Sequence, residues 1–356
     1  MPRSSKVPTR KQLPWLHLLA FLGGVALLAF LIWNIGLSEV LKHVRQIGWY
    51  APLLFAPYLA VALCDAKGWA YAIPPASPAR QTPLWRIALA RIAGEAINNL
   101  TPTANVGGEP VKAYMLRSHG LAVDAGLASV VAAKTALTVS QIAFIFLGLP
   151  FFLYRLGWVQ VWWWVFGPLV GLAYGFVVLL VRSQRRGLMG MAVRGLRRFF
   201  PRWQRLTHWE ERARKIDAHL LSFYSENREG FLLSILYHFF GWLLGAVEMW
   251  FFFHLMGVPV SLIDSLIIES MVQPITAAGL VIPGALGVQE AGGVFLCRLL
   301  GIDEGAGLTL MALKRIREAI YNMVGLIVIM RATGGLLPWK AVSSSTPREE
   351  GNPHEI

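Results

Sequence analysis

The chain has 356 residues, 55% of them hydrophobic and only 15% charged, with a mean hydropathy of +0.52 and a formal charge of +13. Several apolar runs reach the ~20 residues that cross a bilayer core, which excludes a soluble domain, and the ~10-residue alternating segments of a membrane barrel do not occur. The basic residues gather between hydrophobic runs, so the charge speaks for membrane topology and anionic headgroups rather than for nucleic acid.

In chain order, residues 1–14 form a basic N-terminus with Arg3, Lys6, Arg10 and Lys11. The run 15–35, framed by Trp15 and Trp33, is longer than a signal-peptide core and has no small-x-small site after it, so it reads as an uncleaved first span. A second span is expected over 47–65. Segment 87–116 is interrupted by polar residues, Pro102 and Gly107-Gly108. Spans follow over 125–150 and 159–181, the latter opening on Trp162, Trp163 and Trp164 as interface anchors. Segment 182–230 is a basic connector. Leu206, Trp209, Ile216, Leu220 and Phe223 recur in it at near-helical intervals, which predicts amphipathic helices lying on the membrane surface. Span 231–256, a second broken segment over 262–300 and a last span over 307–330 complete the membrane part. The tail 336–356 reads as disordered.

Positive-inside reasoning places the connector and both termini in the cytoplasm. Counting crossings from there, 87–116 begins and ends inside, while 262–300 begins and ends outside. The expected fold is therefore an all-α polytopic membrane protein built as an inverted-topology repeat, 15–181 against 231–335. It has about six full spans and two re-entrant or broken helical hairpins, the second of which could also cross nearly fully. Local spacing agrees: Lys134 follows Glu109 much as Lys314 follows Glu290, each in the span after its hairpin.

The hairpins hold the candidate site residues. The first offers Glu95, Asn98, Asn99, Pro102, Asn105, Gly107, Gly108 and Glu109. Pro interrupts the helical ladder, paired glycines permit close approach, and exposed amides at a helix start favour an anion such as a lipid phosphate. Glu109 before Pro110 fits the first turn of the next helix, where it could simply cap. Glu95 lies inside a helical run, with Arg91 one turn away as a local partner. The second hairpin offers Glu269, Gln273, Pro274, Pro283, Gly284, Gly287 and Glu290, readable also as a kinked packing surface. The last span carries Lys314, Arg315, Arg317 and Glu318, with Lys314 about seven residues or ~10 Å deep. Lys314 and Glu318 are spaced for an ion pair, yet the cations outnumber Glu318, so a headgroup or the hairpin glutamates are the natural partners. Lys134 has the matching place in the first half. His238, His254 and Glu248 fall on span 231–256, where a stacked or satisfied histidine is the ordinary reading. Cys64 and Cys297 read as small buried hydrophobes. No metal, cofactor or catalytic motif is present in the sequence.

The stretch EAINNLTPTANVGGEPVKAYMLR (from Glu95), together with Pro283-Gly284-x-x-Gly287-x-x-Glu290-x-Gly292, resembles the two signatures of the lysylphosphatidylglycerol synthase transmembrane-region family, also called flippase-like or uncharacterised-family-0104 membrane proteins. The likeness covers roughly 15–335, and AAGLVIPGALGVQEAGG resembles the branch associated with hopanoid biosynthesis. It implies a bacterial inner-membrane protein that moves or handles lipids, without the family's separate catalytic domain. It implies site roles for Glu95, Asn98, Pro102, Gly107, Gly108, Glu109, Pro283, Gly284, Gly287, Glu290 and the basic position at Arg315 or Lys314. Many members have an acidic-basic pair in the span after the first hairpin. Here Ala133-Lys134 lacks the acid.

The expected function is thus a lipid transporter or flippase for a polar or hopanoid-type lipid, without enzyme activity or cofactor, with membrane lipids (hopanoid or anionic phospholipid) and lipid-biosynthesis enzymes as partners. The alternatives are a non-transporting lipid-binding or scaffold protein and, more remotely, a membrane-embedded enzyme on lipid headgroups.

Overall fold

A computed structural model describes residues 37–101, 106–158, 160, 162–199, 205–279 and 282–332. The basic N-terminus, the span expected over 15–35, Pro102, Asn105 and the tail 336–356 lie outside the described residues. Among those described, the structure is helical throughout with no strand. The helices are α1 (Leu37–Ile47), α2 (Ala56–Ala72), α3 (Leu84–Leu100), α4 (Glu109–Met115), α5 (Val123–Arg155) and α6 (Trp162–Arg185), then α7 (Leu188–Phe199), α8 (Arg205–Glu226), α9 (Arg228–Leu255), α10 (Leu262–Ala278), α11 (Val288–Leu299) and α12 (Glu304–Ala332).

Among the described residues, α5, the Gly167–Arg185 part of α6, and α9 are long and apolar enough to cross a membrane. α6 is barely covered by protein: Leu172, Tyr174, Phe176 and Leu179 are all exposed, an apolar surface suited to lipid. The chain is an integral membrane protein. α2 and α12 are less apolar because they carry Asp65 and the cations of the last span.

Both broken segments form helical hairpins. α3 packs on α4, and α10 packs on α11. The short arms are seven and 12 residues. At 1.5 Å per residue they reach only about 10 and 18 Å, short of a ~30 Å hydrocarbon core. The second hairpin therefore does not cross fully. Its long arm is also only 17 residues and holds Pro274 without breaking. Three membrane-crossing helices separate the two hairpins, an odd number, so the hairpins open on opposite faces.

The halves interlock rather than lie side by side. α2 packs along α9, α3 of the first half lies on α12 of the second, and α10 of the second lies on α5 of the first. Two main hydrophobic clusters form among the described residues, the second joining Leu149 and Leu153 of the first half to the second half. One centres on Trp69, Ile73, Ile87 and Leu116, the other on Phe252, Phe253, Ile267 and Leu310.

Three expectations change. The second span is not one helix over 47–65: Gly48–Phe55 is a 3-10 segment, and the α-helix runs on to Ala72, where Arg80 donates to the carbonyls of Ala70, Tyr71 and Ile73 at 2.8–3.0 Å and closes its end. The connector is more than a surface layer. Leu220, Phe223 and Tyr224 of α8 are buried against the first-half cluster, and the Tyr224 hydroxyl donates to Gln184 at 2.5 Å. Finally, α12 starts at Glu304, which puts Lys314 about 15 Å along the helix rather than ~10 Å.

Candidate functional site

The first hairpin turns where α3 and the start of α4 touch backbone to backbone. A Cβ on Gly108 would collide with the Gly94 carbonyl, and one on Gly94 would collide with the Lys112 side chain. This contact is what Gly94 and Gly108 permit. Asn98, fully buried on α3, ties the turn together: its Oδ1 accepts the Gly108 amide at 2.7 Å, and its Nδ2 donates to Glu109 at 3.2 Å and Glu95 at 3.4 Å. Glu109 opens α4, as expected at the positive end of that helix.

Glu95 does not pair with Arg91. Lys112, one turn into α4, reaches Glu95 at 2.7 Å and Glu109 at 3.1 Å. Arg91 instead meets Asp65 of α2 at 2.6 Å. Coulomb attraction selects the nearest opposite charge in three dimensions, and the helix-spacing rule sees only neighbours on one helix. Lys134 of α5 completes this half, 2.9 Å from Glu109. The acid missing beside Lys134 in sequence is thus supplied by the hairpin.

The second half repeats the design with other residues. Pro283–Ala285 forms a short 3-10 turn with Gly284 at φ 59°, and Gly287, at φ 80°, precedes α11. The Glu290 carboxylate accepts the Gly287 amide at 2.7 Å and pairs with Arg315. Arg315 also meets Glu318 at 2.8 Å. Lys314 does not pair with Glu318; it turns to Glu269 of α10 at 2.6 Å. Arg317 pairs with Glu248 of α9, lies 3.9 Å from Glu318, and covers the Tyr58 ring at 4.0 Å.

Arg315, rather than Lys314, is therefore the counterpart of Lys134: both lie 25 residues after their glutamate. Pro102, Glu109, Lys134 and Gln141 recur at one constant displacement as Pro283, Glu290, Arg315 and Asn322. The last pair also shares a task across the halves, Gln141 donating to Gln273 and Asn322 accepting from Asn99, both at 3.1 Å.

Two cavities adjoin this chain of charges. One of about 240 Å³ lies between the halves, walled by Asp65 and Arg91 from the first and by Glu248, Glu269, Lys314 and Arg317 from the second. Gln273, Thr276 and Glu318 also line it. A smaller one, about 30 Å³, lies among Glu95, Glu109, Lys112 and Lys134 of the first half and His238 of α9, and Arg91 borders both. Of the expected site residues, Pro274 is exposed and stays outside the cluster. Asp65, Lys112 and Glu248 belong to it though sequence reasoning did not place them there, and Arg91, expected as the partner of Glu95, belongs to it through Asp65. Asp65, an acid within an apolar span, is the signal that could have found its pair. His254 stacks on Trp250, the ordinary role expected of it. Both cysteines are free, Cys297 buried and Cys64 partly so. Among the described residues no group of three His, Cys, Asp or Glu is placed to hold a metal ion.

The family model for the lysylphosphatidylglycerol synthase TM region matches residues 17–325, both hairpins and the helices that carry their partner charges included. The chain belongs to this family. It is also similar to a UPF0104 membrane protein of Methanothermobacter thermautotrophicus (strain Delta H), 27% identical over 216 residues, 56% of this chain and 61% of the relative. The chain thus spans about three-fifths of the length of that curated relative. No solved structure matches it. The two motifs lie in the two hairpins, where Glu109 meets Lys134 of α5 and Glu290 meets Arg315 of α12.

Proposed function

We propose that this family member passes the polar headgroup of a membrane lipid between leaflets through the cavity between its halves, the acyl chains staying in the bilayer. The observation that carries this reading is the cavity of about 240 Å³ walled by paired charges contributed by both halves. Buried charge is costly in a membrane and persists where it serves a pathway. The volume falls below the roughly 300–1,000 Å³ of pockets that enclose a whole drug-sized ligand, and suits a headgroup. The family description names the membrane region of a lipid synthase, which supports a lipid as cargo.

Because the cations already have carboxylate partners, a headgroup enters by exchange. Its phosphate takes Lys314 or Arg317 from Glu269 or Glu248, and the freed carboxylates turn to an amine or hydroxyl of the same headgroup. Hairpins opening on opposite faces let one half rock against the other about this point. The substrate is a polar or hopanoid-type lipid, and the step breaks no covalent bond. The basic connector supports cytoplasmic termini, with the chain in a bacterial inner membrane.

The test is purified protein in liposomes carrying headgroup-labelled lipids, phospholipid and hopanoid-type in turn. Movement above protein-free vesicles supports the reading, and none with any of them overturns it. The complete pairing of the cations favours one second reading, a protein that holds a lipid without moving it, which the same assay recognises as bound lipid without transfer.

A further inference from the structure

Another cavity lies where α2 ends and α3 begins. It measures about 230 Å³, and its walls include Lys67 and Tyr71 of α2, Arg80 and Thr82 of the connecting segment, and Leu84 of α3. None of its lining is shared with the two cavities among the paired charges. Its charge is of one sign. Lys67 and Arg80 line it, no acid does, and neither cation has a carboxylate partner among the described residues. Both lie over the Tyr71 ring, the Lys67 ammonium 5.4 Å and the Arg80 guanidinium 4.9 Å from its centre, so the two charges are within about 10 Å of each other. An aromatic ring attracts a cation without neutralising it.

Arg80 is held in place by one nitrogen only. Nη1 donates to the carbonyls of Ala70, Tyr71 and Ile73 at 2.8–3.0 Å. Nε and Nη2, the edge that grips an oxyanion with two parallel bonds, make no hydrogen bond among the described residues. α3 adds its positive end, since Pro83 precedes it and no side chain caps it. Thr82, 9% exposed, stands beside that end with a hydroxyl that has no partner among the described residues. The place in the membrane follows from α9, a helix long enough to cross it. Asn227, which joins α8 of the basic connector to α9, donates to the Tyr71 carbonyl at 3.3 Å. The cavity therefore lies by the end of a crossing helix, on the face that carries the connector, where lipid headgroups lie.

We propose that this cavity binds a terminal phosphate, whose double negative charge matches Lys67 and Arg80. Arg80 offers the Nε–Nη2 fork, Lys67 supplies the second positive charge, and the uncapped start of α3 adds its dipole. A phosphatidic acid headgroup and inorganic phosphate share this chemistry, and the experiment separates them. Binding ties the end of α2 to the start of α3, beside the paired charges and not among them. The proposal is independent of whether the protein moves lipid.

The experiment follows the fluorine resonance of Tyr71 in fluorotyrosine-labelled full-length protein, held in dodecyl maltoside, a detergent without phosphate. The signal is assigned by its loss in Tyr71→Phe, and the other tyrosine signals report whether each variant is folded. Dioctanoyl phosphatidic acid, inorganic phosphate and dioctanoyl phosphatidylcholine are titrated in turn at about pH 8, where a terminal phosphate is a dianion. The expected result is a saturable shift with phosphatidic acid, weakened at least tenfold in Lys67→Gln and restored in Lys67→Arg. Phosphatidylcholine, whose headgroup has no net charge, should need at least tenfold more. Arg80 also closes the end of α2, so Lys67→Gln, which touches no backbone bond, carries the test. A response to phosphatidic acid alone assigns the site to a lipid headgroup, and one as strong or stronger with inorganic phosphate assigns it to free phosphate. No saturable response to either phosphate, a response unchanged in Lys67→Gln, or an equal response to phosphatidylcholine overturns the proposal.

Discussion

The two hairpins share a plan and differ in where their cations come from. The first carries one of its own, Lys112 on α4 between Glu95 and Glu109, and takes a second, Lys134, from α5. The second carries none for Glu269 and Glu290, which depend on Lys314 and Arg315 of α12. The cavity among the first hairpin's charges is about 30 Å³, and the one between the halves, which Glu269 of the second borders, is about 240 Å³. The comparison teaches that a duplicated scaffold can keep its glutamates and draw their cations from different helices.

The largest expected effect separates the turns. Gly108→Ala drives a methyl into the Gly94 carbonyl and should abolish folded protein, judged by monodisperse yield after detergent extraction. Gly284→Ala meets nothing nearer than 3.4 Å and bears only the strain of a left-handed residue, about 1–2 kcal/mol, read as a modest fall in melting temperature. Next, removing one partner of a buried pair leaves the other uncompensated, at about 3–5 kcal/mol. Glu290→Met should cost that much, and adding Arg315→Leu should recover part of it, because Arg315 then leaves no charge behind. Glu318 would be left with Arg317 alone, so recovery stays incomplete. Within the first hairpin, Lys112→Met should cost a similar amount. Lys134→Met, with 37% of its side chain exposed, should cost about 1 kcal/mol or less. Smallest is the cross-half amide bond: Gln141→Ala should lose about 1 kcal/mol in the same melting measurement.

Those pairings mark the boundary of what the sequence could reveal. Pro102 to Glu109 and Pro283 to Glu290, with glycines beside them, announced two broken helices, since only a few residue types interrupt a membrane helix. Crossing parity then placed the hairpins on opposite faces. Partner identity was out of reach. Arg91 sits one turn from Glu95 yet meets Asp65, and Lys314 sits one turn from Glu318 yet meets Glu269. Both outcomes depend on which helix lies alongside, and no interval along one helix records that. Lys112 was hidden for a simpler reason: in sequence it reads as an ordinary polar residue in the first turn of a short helix. His238 looked like a satisfied core histidine and is satisfied on one side only.

The most direct test of the central claim is the rate of headgroup-labelled lipid transfer in liposomes by the wild type, by Lys314→Gln and by Lys134→Gln. The account predicts transfer by the wild type, a loss of tenfold or more in Lys314→Gln, whose cation walls the larger cavity, and a smaller change in Lys134→Gln. Equal rates for all three, or no transfer by the wild type, would contradict it.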